Sequence, residues 1–143
     1  MRLTGMAVVV WVGALAMTAA QTTAQQTTEK PSAAYQKAMK DVNAANMSVR
    51  AAVTAKDYDA ITKDAATLKA AFQVTLDFWT AKKVEDAIGF AKNALKAATD
   101  LETAAKAKDE AEVTATARAV AGSCQACHMA HRQRMPDGTY EIK

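Results

Sequence analysis

Residues 109–131 read DEAEVTATARAVAGSCQACHMAH, and two patterns overlap in them. Val113, Ala117, Val120, Cys124, Cys127 and His131 recur at intervals of three and four, the spacing of one face of an α-helix, and Asp109 stands ahead of them as an N-cap. Inside that face lies Cys124-Gln125-Ala126-Cys127-His128, a C-x-x-C-H run in a chain with no other cysteine. Thiols at i and i+3 share one side of a helix, so each can add to a vinyl group of the same haem, and the imidazole next to the second thiol then lies under the iron. The stretch therefore predicts both a helical fold and one covalently held haem c, with Cys124 and Cys127 as its thioether attachment points and His128 as the proximal iron ligand.

Two other uses of these residues compete. A zinc ion would need four ligands, and Cys124, Cys127, His128 and His131 supply four candidates. Cys127 and His128, however, point about 100° apart on a helix, which one small ion cannot easily accommodate. A redox dithiol or a disulfide is the second rival. C-x-x-C oxidoreductases place the motif after a strand, and no strand pattern is present here.

Working outward, the 143-residue chain is rich in Ala and Lys, with only 5 Gly, 2 Pro and 6% aromatic residues, a composition that favours helices over sheets. Upstream of residue 109, three more helices are expected. The first follows Pro31 and Ser32, with Tyr35, Met39, Val42, Asn46, Val49 and Val53 as its inward stripe; it breaks at Lys56-Asp57. The second covers Tyr58 to Thr80, its large residues crowded toward Trp79, and Lys82 and Lys83 suit its negative end. The third starts near Val84, carries Ile88, Ala91, Leu95, Ala98 and Leu101 inward, and contains Gly89, read as a point of close helix or haem approach. Four amphipathic helices of similar length with short connections predict an all-α, antiparallel up-down-up-down four-helix bundle around the haem.

The chain ends are read separately. Met1-Arg2, an apolar run from Met6 to Met17 and the small residues before Gln21 predict a cleaved secretory signal peptide over 1–20, an uncleaved anchor being the alternative. Residues 21–30 follow as a flexible leader, 31–135 as the haem domain, and 136–143 as a tail turning at Asp137-Gly138 and lying on the surface. Export to the periplasm agrees with haem attachment, which bacteria carry out beyond the cytoplasmic membrane. Loss of Arg2 with the leader lowers the formal charge from +3 to +2, and haem propionates bring it near zero, so no nucleic-acid partner is expected.

Four helices, C-x-x-C-H on the last and a Met on the first resemble the cytochrome c-prime family, including its low-spin c556-type members, over about Ser32 to Arg134. The motif's place late in the chain separates this pattern from small mitochondrial-type cytochromes c. The resemblance implies thioethers at Cys124 and Cys127, proximal ligation by His128, a basic proximal-pocket residue at Arg132 and a distal residue at Met39. The family's usual Arg near the start of the first helix is replaced by Tyr35 and Gln36.

Of seven Met residues, Met39, Met47, Met129 and Met135 lie beyond the leader. Met129 and Met135 are too close to His128 in sequence to reach the opposite face, and Met47 is rotated off the stripe that carries Met39. Met39 either ligates the iron or packs over an open face. With both axial positions filled the protein is an electron carrier, with redox proteins as partners; with one open it binds NO or CO. His131 is read as a packing or propionate-side residue. No acid, base or nucleophile constellation predicts a turnover enzyme, and the Ala-rich faces leave monomer and homodimer both open.

Overall fold

The computed structural model describes residues 27–143, and the expected signal peptide with most of the leader lies outside them. The chain is mostly helical: α1 (Ala33–Ala55), α2 (Tyr58–Lys82), α3 (Glu85–Ala107) and α4 (Glu110–His131), followed by β1 (Arg132–Arg134) and β2 (Tyr140–Ile142). Among these described helices none is long and apolar enough to cross a membrane.

Helix starts follow the expected chemistry. Ser32, Asp57 and Asp109 are N-caps whose side chains accept from the backbone N–H of Tyr35, Ala60 and Glu112. Val84 caps α3 without a side-chain bond, and Glu85 and Asp86 face the positive end of its dipole instead. All three reversals end the preceding helix on a lysine in the left-handed region: Lys56 at φ 55°, Lys83 at 59° and Lys108 at 55°. Each left-handed residue lets its own N–H bond back to the last turn, so the chain reverses within two residues. Such short reversals join helices that pack side by side, so successive helices run antiparallel.

The core is built largely on alanine. In α1 the buried stripe is Tyr35, Ala38, Val42, Ala45, Val49 and Ala52. Met39, Asn46 and Val53, expected on that stripe, lie half-buried beside it. The α3 stripe is likewise shifted toward Ala87, Ala94, Ala97 and Ala104, with Ile88 and Leu95 at its margin. Small side chains let helix axes approach closely, so the tightest seams recruit Ala and leave larger residues at the flanks. Ile61, Leu68, Leu101, Val113 and Val120 are the large anchors of this shared core.

Gly89 does not mark a close approach of another helix: a Cβ built there meets nothing within 4 Å. The C-terminal region also departs from expectation. α4 stops at His131, before Pro136, because Arg132 turns extended and pairs with Ile142 in an antiparallel hairpin. Glu29 joins as a third partner, exchanging backbone bonds of 2.8 Å each way with Ile142. Ile142 is 9% exposed and packs with Tyr35, Trp79, Ala87 and Ala91. The tail is thus an integral cap on one end of the helices, and the last residues of the leader are tied to it.

Candidate functional site

Three of the four possible helix seams are tight: α1 with α2, α2 with α3, and α3 with α4. α1 and α4 barely touch. Between them lies a cleft formed of two adjoining cavities of about 570 and 640 Å³, sharing Tyr35, Met39, Asn43, Cys127, His128 and Arg132 in their walls. The deeper part reaches apolar side chains of α2 and α3, notably Phe72, Ala91 and Ala94. A volume of this size in a domain otherwise packed on alanine falls in the range of a cofactor site.

α4 brings the two thiols and His128 to this cleft. Both cysteines are free and half-buried, and Cys124 packs against the main core while lining the larger cavity. Burial pushes the Cys124 thiol up, and burial together with Cys124 and Asp86 pushes Cys127 up to about 11. A C-x-x-C dithiol that worked as a redox nucleophile would need the reverse, a thiol lowered toward neutrality. The His128 imidazole is held below its ordinary value by burial and then by the Arg132 charge, so it is neutral at pH 7 and has a free lone pair for a metal.

Met39 is the methionine that reaches the cleft from the facing helix. It is half-buried, lines both cavities and touches both apolar clusters. Met47 is 64% exposed and Met129 69% exposed, so both point away. Of the stripe read from the sequence, Tyr35, Val42 and Val49 are buried, whereas Met39, Asn46 and Val53 give way to Ala38, Ala45 and Ala52. Met39 therefore lies at the margin of the buried face, where it lines the gap facing α4.

Arg132 leaves the helix and enters β1, where its guanidinium stacks 3.4 Å from the centre of the Tyr140 ring while still bordering both cavities. His131 packs inward. Its ring lies 5.0 Å from Trp79 and its Nε2 is 3.0 Å from Asp86 Oδ2. Among the described residues no three His, Cys, Asp or Glu side chains converge to hold a metal ion. His131 is engaged with α2 and α3, and no four-ligand set of the zinc type forms.

Tyr35 was missed as a site residue. It sits at 7% exposure where the cleft meets the hairpin, tilted against Phe78 and edge-on to Trp79, and burial, with the nearby Cys127 thiol second, pushes its hydroxyl up to about 12. The aromatic crowding at the end of α2 was a signal for this end of the molecule. No family model matches the chain, and neither a curated protein nor a solved structure matches it.

Proposed function

We propose that the chain is a periplasmic, monohaem c-type cytochrome that carries electrons, in the manner of the cytochrome c-prime and c556 group it resembles. The observation that carries this reading is the joint placement of two free thiols, a neutral imidazole and a thioether around one cleft. Cys124, Cys127 and His128 come from one wall and Met39 from the other.

The fit rests on the donor set and on the shape. Two thiols three residues apart on a helix match two vinyl groups, an imidazole adjoins the second thiol, and the apolar floor of Phe72, Ala91 and Ala94 suits a porphyrin face. Bound haem c would supply a one-electron iron couple. Cys124 and Cys127 would hold it as thioethers, each S–H adding across a vinyl C=C with no atom lost, and His128 and Met39 would be the side chains available to the iron. Tyr35 and the hairpin form the wall at one end of the cleft.

Mass spectrometry of the exported protein tests the tether: a haem adduct on the peptide spanning Cys124 to His128 is expected, and unmodified cysteines would end the reading. Optical spectra test the distal side. A ferric sulfur-to-iron band that Met39→Ala abolishes is the expected result. High-spin wild-type spectra with rapid CO uptake by the ferrous form would overturn Met39 ligation in favour of a gas-binding site.

A further inference from the structure

Charge is distributed unevenly around the cleft. Lys30, Lys40, Arg50, Arg118 and Arg132 all border its two cavities. None of the five is in an ion pair with a carboxylate among the described residues. The two acids at the rim, Asp137 and Glu141, are both at the hairpin end, where each already accepts a threonine hydroxyl. Arg50 on α1 and Arg118 on α4 both border the larger cavity, one from each wall, and both are exposed.

The order of residues on α4 separates these cations into two groups. Cys124 and Cys127 both precede His128, so the thiols lie on the Arg118 side of the imidazole. A porphyrin carries its vinyl groups and its propionates on opposite edges. A haem attached through these thiols would have its vinyl edge on the side of Arg50 and Arg118 and its carboxylates on the side of Lys30, Lys40 and the hairpin. The propionates would then neutralise cations at the hairpin end and leave the charge of Arg50 and Arg118 uncompensated.

Building on the haem reading, we infer that Arg50 and Arg118 form the docking contact for an acidic surface of a redox partner protein, which exchanges electrons through the thioether edge between them. Two unneutralised guanidiniums on opposite walls of one cleft repel, and an acidic side chain entering the cleft relieves that repulsion. A flat anionic membrane surface fits less well, because the pair sits at the mouth of a concave cleft and not on a convex helix face. Complementary charge of this kind chiefly raises the rate of productive encounter and is screened within about 10 Å at 0.1 M salt.

The test uses the haem-loaded protein, with loading verified first by the haem adduct, so that failure of the haem reading is seen separately. The ferrous protein is oxidised by ferricyanide in stopped flow: the haem iron gives up one electron and ferricyanide becomes ferrocyanide. The cationic reagent hexaammineruthenium(III) is run in parallel, and poly-L-glutamate is added as an acidic polypeptide competitor. Arg50→Glu with Arg118→Glu is compared with Lys63→Glu with Lys92→Glu, two exposed lysines off the cleft that change the net charge equally. At low ionic strength the arginine double variant is expected to lose at least tenfold in the ferricyanide rate, to gain with the cationic reagent and to lose competition by poly-L-glutamate, with an unchanged optical spectrum. The lysine variant should change less than twofold. Equal losses in both variants, or none in the arginine variant, would overturn the assignment. So would arginine-dependent binding to phosphatidylglycerol vesicles without any effect on the ferricyanide rate, which points instead to a membrane surface.

Discussion

Replacing Ile142 with Ala tests whether the C-terminal hairpin is part of the folded unit. Ile142 is 9% exposed and sits among Tyr35, Trp79, Ala87 and Ala91. The substitution removes three carbons, worth about 0.8 kcal/mol each when buried, or about 2.4 kcal/mol. A site at the edge of the core can partly collapse, so the cavity adds only a few tenths, for a total near 2.5–3 kcal/mol. For a domain of this size that lowers Tm by roughly 10 °C. Thermal and urea melts of Ile142→Ala give the global effect, and amide exchange locates it. The Glu29 and Ile142 amides, each donating to the other residue's carbonyl across the bridge, should be protected in the wild type and exchange quickly in the variant. A change under 0.5 kcal/mol, with both amides already unprotected in the wild type, would refute the placement of the hairpin.

Further outcomes follow from single residues. Gly89→Ala should stabilise by about 1 kcal/mol, because the new methyl meets nothing within 4 Å and α3 gains helix propensity; a lower Tm would show a neighbour at that position. Asp57→Ala should cost about 1 kcal/mol in urea melts, since its carboxylate accepts the Ala60 N–H at 3.0 Å, whereas Asp59→Ala should cost much less. Glu102 accepts from Lys106 and Lys69, which hold its carboxyl down at about 2 against an ordinary 4.5. A depressed folded value means its contribution is present above about 4.5 and is lost as pH falls toward 2, so Glu102→Gln should flatten the acid limb of stability between those values and leave pH 7 to 9 parallel to wild type.

The helices were legible in the sequence because their signals are local. Asp57 and Asp109 announce helix starts, and the Lys56-Asp57 and Lys82-Lys83 steps announce the reversals. The inward faces were less legible in α1 and α3. A reading that ranks Met, Val, Ile and Leu as core formers overlooks Ala38, Ala45, Ala94 and Ala97, which are buried because they allow close helix contact and not because they carry much apolar area. At the site, the spacing of Cys124, Cys127 and His128 identified one wall. The opposite wall depended on helix rotation, and Met39 was chosen on a stripe of which only Tyr35, Val42 and Val49 are buried, Met39 itself lying at the margin. The hairpin was invisible because β1 and β2 have three residues each, too short for an alternating pattern, and because Glu29 meets Ile142 across nearly the whole domain.

The open seam between α1 and α4 also sets an order of assembly. The three tight seams each join helices adjacent in sequence, so their contacts close short loops and form early at little entropic cost. Bringing α1 against α4 is the long-range step, with Glu29 to Ile142 as its farthest clasp, and it comes last. Until then the face of α4 that carries Cys124 and Cys127 stays uncovered by α1. The two thiols therefore gain their second wall only at the final stage of folding.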